Sequence, residues 1–413
     1  MARMLLTNAR VLRCTGGADE TPVAADVLID GEQIVAVHPQ PSVPDPSTRV
    51  VDLGGATVLP GLGDAHTHIS WPLDFVFDHA AIAATPPARH ILDVAAVVRT
   101  FVQSGYTTII GAGVTQPHDD LLAKEAIDAG LIPGPRIVPS GAMIAAVDGL
   151  GGDGEMMHVA ADAAELRDVV AAQCEQGVAA LKLFISGDGI VPDHPSQDVY
   201  MDDEMLGAAV DEAARYGAFI TTHARGSASV AMAARTGVRI VHHACFLDDE
   251  AIAELAARDD VWVCPGLHYL HAMVSGHAAP WGMTPERIAA AGYDREYASS
   301  LEGLAALHAA GVRLLAGGDF GHQWTRHGSY AAEMQRYVEL LGLTPVEAIH
   351  TATRNVADAA GLPTGRVEAG RLADLLVVDG DPTDDITVLQ QPELRRAVLK
   401  GGEFVHLSTA SYP

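Results

Sequence analysis

Residues 56–68 read ATVLPGLGDAHTH, an apolar run that ends in two histidines, His66 and His68. Valine, leucine and threonine bounded by glycine and proline predict a strand. Alternate side chains of a strand share one face, so the two imidazoles converge just beyond the last apolar residue. The pair alone says little. With 19 histidines in 413 residues, chance yields about one such spacing, and two unrelated strand-end histidines would look the same.

Seven further runs follow along the chain: YTTIIGAG (106–113), PRIVPSGA (135–142), VAALKLFISG (178–187), GAFITTHARG (217–226), VRIVHHACF (238–246), VWVCPGL (261–267) and VRLLAGGDFG (312–321). Segments of helical period such as AAELRDVVAAQCEQG and MLGAAVDEAARYG separate them, several closed by a glycine. Strand and helix alternating eight times predict an α/β fold, a (β/α)8 TIM-like barrel over residues 56–364. Short apolar runs at 3–12, 26–37, 49–53, 373–381 and 394–407 predict strands. They give a small β-sandwich domain assembled from both termini, residues 1–55 and 365–413. The stretches 184–200, 266–283 and 320–330 exceed ordinary connections and are expected to be substrate loops.

Composition narrows the function. Hydrophobic residues make up 48% and charged residues 19%, enough apolar content for a large core. A formal charge of −27 repels nucleic acid and anionic membranes, so neither is an expected partner, although solubility alone accounts for such a charge. Cys14, Cys174, Cys245 and Cys264 form no CxxC pair and suit a reduced, cytoplasmic setting. No signal peptide and no membrane-length apolar run is read in the sequence.

Barrel active sites lie at the C-terminal strand ends, and polar residues recur there: His66 and His68, Lys182 inside AALKLF, His223, His242-His243, and Asp319 inside AGGDFG. A lysine within an apolar strand is costly unless it has a function or snorkels to the surface. Desolvation favours its neutral amine, which can take up CO2 to give a carbamate, an anionic ligand that bridges two cations. His223 and one of His242 and His243 would serve the second cation, since only one of two consecutive side chains should face inward. Asp319 would bind the first cation and accept a proton from the attacking water; capping the following helix is its structural alternative.

These motifs resemble the amidohydrolase superfamily. The resemblance covers nearly the whole chain, through LLTNARVL…VLIDGEQIVAV, VVDLGGATVLPGLGDAHTHI and TPVEAIHTATRNVADAAGL…GRVEAGRLADLLVVDGDP. THARG (222–226) and HHACFLDDE (242–250) match the imidazolonepropionase-like branch, which includes dipeptidases and amide, urea and carbamate hydrolases. The resemblance implies His66, His68, Lys182, His223, His243 and Asp319 as ligands, with His243 rather than His242 at the metal position. It implies two divalent ions, zinc with cobalt or manganese as substitutes, a CO2-derived carbamate on Lys182, a small-molecule substrate with a C–N bond, and a homo-oligomer. Where branch members carry a Gly-Gly-His-Gly loop, this chain has Gly151-Gly152-Asp153-Gly154. Asp153 replaces a histidine that could polarise the substrate carbonyl, which puts dipeptidase specificity in doubt; His158, His268 or His271 could substitute. Arg225, Tyr269 and His322 are further expected substrate contacts, against the bland readings of salt bridge, packing residue and solvated loop. Rival functions are carbamate, thiocarbamate or urea hydrolysis, deamination, and metal binding without catalysis. Deamination lacks support because no acid follows His223 in ARGSASV.

Overall fold

The structure, a computed structural model, describes residues 3–40, 45–74, 81–82, 84–116, 118–152, 157–189, 191 and 193–407. The N-terminal strands are β1 (Met4–Val11), β2 (Val23–Asp30), β3 (Gln33–Pro39), β4 (Arg49–Asp52) and β5 (Thr57–Pro60). The central strands are β6 (Leu62–Thr67), β7 (Tyr106–Gly111), β8 (Arg136–Val138), β9 (Met143–Ala146), β10 (Met157–Ala160), β11 (Ala180–Phe184), β12 (Phe219–Ala224), β13 (Ile240–His243) and β14 (Trp262–Cys264). β15 (Leu375–Val378), β16 (Arg395–Lys400) and β17 (Glu403–Leu407) complete the set.

Both ends of the chain meet in one eight-stranded sheet, ordered β17-β16-β15-β5-β1-β2-β3, with β4 also paired to β1. Its alternation serves two cores. On β15, Leu375 and Val377 pack with Leu6, Val27 and Val58, whereas Leu376 and Val378 face the main core beside Phe101 and Leu59. The stretch read as one strand over 56–66 is therefore two: β5 pairs antiparallel with β15, and only β6 joins the central strands.

The central strands are all parallel. β6-β7-β8 form one sheet and β10-β9-β11-β12-β13-β14 another, giving a mixed α/β fold. Of the run predicted at 135–142 only β8 is strand; β9 begins just beyond it, with Gly141 at a φ of 62° between the two. A parallel bridge from Val114 to Ala142 links the two sheets on this side. On the other side the segment 312–320 carries no regular strand, yet bridges join Leu314 to Val263 and Phe320 to Thr67. Leu315 N–H donates to the Val263 carbonyl (2.8 Å) and Ala65 N–H to the Ala316 carbonyl (2.9 Å), so this segment contacts β14 and β6 together. Glycine is required there by close approach. A Cβ on Gly317 would lie 2.5 Å from Cys264 Sγ and 2.7 Å from the His66 backbone nitrogen.

Helices connect the strands and start where the sequence offers caps. Asp162, Asp202 and Asp248 each accept backbone N–H bonds at a helix start, and Thr344 forms a capping box with Glu347. The stretch after β14, expected to be loop, contains the helix Leu267–Val274. Its first turn is held by Glu333, whose carboxylate accepts from Leu267 N–H (2.9 Å) and His268 N–H (2.6 Å). No helix among the described residues is long and apolar enough to cross a membrane.

Candidate metal centre

Each predicted ligand is buried; the histidines lie at or just past the C-terminal ends of central strands, Lys182 lies within one, and Asp319 lies on the bridged segment 312–320. His66 and His68 close β6, Lys182 lies in β11, His223 in β12 and His243 at the end of β13. Asp319 follows the Gly317-Gly318 turn. Its Oδ1 lies 3.2 Å from His68 Nε2 and 3.7 Å from His66 Nε2, and these three groups converge as metal ligands would. The His223 and His243 rings stand 4.5 Å apart, and His243 is 5.1 Å from His66.

Two of these residues have strained backbones. His243 has a φ of 75° and Asp319 a φ of 53°, the left-handed region that a side chain rarely adopts. This overturns the expectation that only one of His242 and His243 faces inward. Strand alternation sends His242 toward His66 and Lys182, and the left-handed turn at His243 and Ala244 then swings the next imidazole back toward His223 and His66.

His242 lies deeper. Its ring stacks on His66 at 4.1 Å, Nε2 is 3.1 Å from the Ala65 carbonyl, and Nδ1 is 2.5 Å from Lys182 Nζ. His66, His242 and Cys264 also come close enough to suggest a metal trio. Stacked rings direct their lone pairs side by side, however, and both His242 nitrogens are engaged, so this trio is the poorer ligand set.

Burial sets the protonation states. It holds His66 and His243 well below the usual imidazole range and lowers His223 to about 3, helped by the charge of Arg225 on His223 and His243 and of His242 and Lys182 on His66. The rings are thus neutral, as metal ligation requires. Burial also lowers Lys182 to about 7, against the opposing pull of Asp319. Burial would raise Asp319, but the hydrogen bond from His68 and the nearby His68, His322 and Lys182 hold its carboxylate well below the ordinary range. Lys182 is near enough for its charge to act on His66, His223, His243 and Asp319 alike.

His223 Nε2 faces both the Gly187 carbonyl (3.0 Å) and Arg225 Nε (3.3 Å). One nitrogen cannot donate and accept at once. We assign the proton to Nε2 for the nearer carbonyl, which leaves Nδ1 a lone pair for a cation.

The expected substrate contacts fare differently. Arg225 is wholly buried, with Nη2 2.7 Å from Asp188 and Nη1 paired to Glu296. Asp188 also accepts from the Tyr293 hydroxyl (2.6 Å). Both ends of the guanidinium are thus taken by carboxylates of the protein, the salt-bridge alternative. Tyr269 lies on the helix Leu267–Val274 rather than in a loop, 4.9 Å from the His322 ring, with its hydroxyl bonded to Tyr293. His322 is buried, edge-on to Trp71 at 4.7 Å. Asp153 lies outside the described residues. Among its suggested substitutes, His158 is exposed, His271 is bonded to Tyr297 and Arg336, and His268 stacks against Phe320. Sequence reading missed Trp71, which stacks on His68 at 3.9 Å and 14°, and the Asp188 and Glu296 partners of Arg225. Their separations of 37 and 71 residues carry no local signal.

This architecture matches known proteins. The amidohydrolase family model covers residues 57–405, and the chain belongs to that family, a hydrolase acting on C–N bonds. It is 26% identical to the ochratoxinase of Aspergillus niger, over 93% of this chain and 84% of that protein. It is 29% identical to the imidazolonepropionase of Cereibacter sphaeroides, over 97% of this chain and all of that one. A crystal structure of a prolidase complexed with N-methylphosphonate-L-proline superposes with a TM-score of 0.86 at 26% identity, over 98% of this chain and all of the other.

Proposed function

We propose that β6, β7, β8, β11, β12, β13, β14 and the bridged segment 312–320 are the eight strands of a (β/α)8 barrel, with β9 and β10 as additions, and that its mouth holds two divalent cations for hydrolysis of an amide or peptide-like bond. The observation that carries this reading is the approach of Asp319 Oδ1 to His66 and His68, at 3.7 and 3.2 Å from their Nε2 atoms. Donors around a tetrahedral zinc ion, each about 2.0–2.2 Å from it, stand about 3.3 Å from one another. The two Asp319 distances bracket that spacing, and all three groups lie within 4.8 Å of one another, which supports their sharing one ion. His223, through Nδ1, and His243 would serve a second ion. A carbamate formed on Lys182 would serve both, and the neutral amine it needs is favoured by the burial that lowers this lysine to about 7.

When bound, such cations supply Lewis acidity that brings the pKa of water toward neutrality. The chain's own residues do the rest. Asp319 is ionised before the reaction, so it is an acceptor for the proton of the attacking water. It then returns that proton to the leaving nitrogen, which departs poorly as an anion. Tyr269 of the Leu267–Val274 helix and Trp71 both pack against His322 beside the site. The relatives act on ochratoxin, imidazolonepropionate and prolyl bonds by their names. An amide or cyclic amide of a small acid is the corresponding substrate class here.

The test pairs elemental analysis with a hydrolysis screen of dipeptides, N-acyl amino acids, anilides, carbamates and ureas. We expect about two divalent ions per chain, loss of activity on exhaustive chelation and its return with zinc, cobalt or manganese. Full activity in metal-free protein would defeat the reading. Activity confined to ureas or carbamates would move the substrate class without touching the metal centre.

A further inference from the structure

We infer that His242 is a positioning residue that fixes the plane of the group on Lys182. The inference rests on the reading of Lys182 as a carbamate. The His242 side chain is fully buried and its ring is locked from three sides. It stacks on His66 at 4.1 Å, its Nε2 lies 3.1 Å from the Ala65 carbonyl, and its Nδ1 lies 2.5 Å from Lys182 Nζ.

A carbonyl oxygen can only accept, so Nε2 carries the proton and donates to Ala65. The Nδ1 lone pair then accepts an N–H from Lys182. This acceptor needs one hydrogen on the lysine nitrogen, and one is what carboxylation leaves. The neutral amine forms an N–C bond to CO2 with its lone pair, a C=O π pair becomes an oxygen lone pair, and one N–H proton departs to water. No oxidant or reductant takes part. The product nitrogen is planar and keeps a single hydrogen. Holding that hydrogen on Nδ1 leaves rotation about the N–C partial double bond as the remaining freedom, and resonance already opposes it. The plane that holds both carbamate oxygens is thereby fixed, next to His66, His223, His243 and Asp319, the groups that the Lys182 charge reaches. The Ala65 carbonyl lies on β6 between the chain neighbours Asp64 and His66, so the same contact ties the Lys182 nitrogen to the strand that carries His66 and His68.

The role can be separated from simple barrel filling. His242→Phe keeps the ring volume and removes the acceptor. His242→Asn loses volume but keeps an amide oxygen near the Nδ1 position. Wild type and both variants are equilibrated with 13C-bicarbonate, and the carbamate carbon is read by NMR beside bound metal and the thermal melt. We expect His242→Phe to lose the carbamate signal by about tenfold, the worth of one hydrogen bond to a charged group. Its metal content should fall in step, and His242→Asn should retain most of the signal. An undiminished carbamate in His242→Phe, or equal loss in both variants, overturns the inference while leaving the reading of Lys182 intact. Absence of any carbamate signal in metal-loaded wild type overturns that reading and the inference with it. Should His242→Phe not fold, 15N spectra of histidine-labelled wild type decide the matter: an Nε2–H tautomer with an accepting Nδ1 is expected, and a proton on Nδ1 refutes the role.

Discussion

Gly317→Ala tests whether the segment 312–320 sets the spacing of the metal centre. Gly317 does not adopt a left-handed φ, so the effect of alanine there is chiefly steric. The added Cβ would meet the His66 backbone nitrogen at 2.7 Å and Cys264 Sγ at 2.5 Å. Carbon contacts settle at about 3.5 Å, so the segment must part from β6 by roughly 0.8 Å. The backbone nitrogen belongs to a packed strand and has little room to yield. Overpacking of this size costs about 1–3 kcal/mol, a modest fall in melting temperature for a chain of this length. The chemistry is more sensitive, because Asp319 is two residues away and must stay in register with His66 and His68 across the gap being opened. A displacement near 1 Å can reduce a rate by about a hundredfold. We expect kcat/KM on the best substrate of the screen to drop between ten- and a hundredfold, with weaker retention of metal and a folded circular dichroism spectrum. Activity within threefold of wild type, with full metal content, would show that the approach of this segment does not position Asp319.

Two further outcomes are expected. Asp319→Asn removes the carboxylate proposed as proton acceptor and anionic ligand, so turnover should fall at least about a thousandfold while the melt changes little; near-wild-type turnover would take Asp319 out of the mechanism. Glu333 predicts a pH effect on stability. Burial raises its carboxyl from 4.5 to about 7 against the N–H of His268, the Tyr337 hydroxyl and the N–H of Leu267. A raised folded value means the contribution is fully present below pH 4.5 and is lost as pH rises through about 7, a swing of roughly 3 kcal/mol. Urea denaturation at pH 5 and pH 7.5 should show this slope in wild type and a flatter one in Glu333→Gln; equal slopes would place the titration elsewhere.

Much of the fold was legible because the central strands are mostly short apolar runs separated by segments of helical period, the pattern of parallel strands buried under helices. Polar residues set in or beside such runs singled out His66, His68, Lys182, His223 and Asp319 as candidates, and all five are buried. The choice between His242 and His243 could not be read from alternation, because the turn that brings both rings inward depends on a φ of 75° that nothing in IVHHAC announces. The division of residues 56–66 into β5 and β6 was hidden for a related reason: ATVLP and GLGDAH are both apolar, and only pairing with β15 tells them apart. Arg225 illustrates a third limit. Its neighbours in sequence say nothing of Asp188 and Glu296, which arrive from a distant loop and helix and take up the guanidinium. Tyr269 reads as a loop residue until Glu333, from another helix, is seen to cap the turn that carries it.

The pairing of β5 with β15 also bears on how the molecule is made. Val58 and Leu59 wait for partners at Val377 and Leu376, more than 300 residues later, as the bond from Thr57 Oγ1 to the Gly380 carbonyl, spanning 323 positions, makes plain. At ribosomal speeds of about 5–20 residues per second, that interval lasts roughly 15–60 s. Throughout it the nascent chain carries an uncovered apolar strand edge, of the kind to which trigger-type chaperones attend and on which crowded polysomes aggregate.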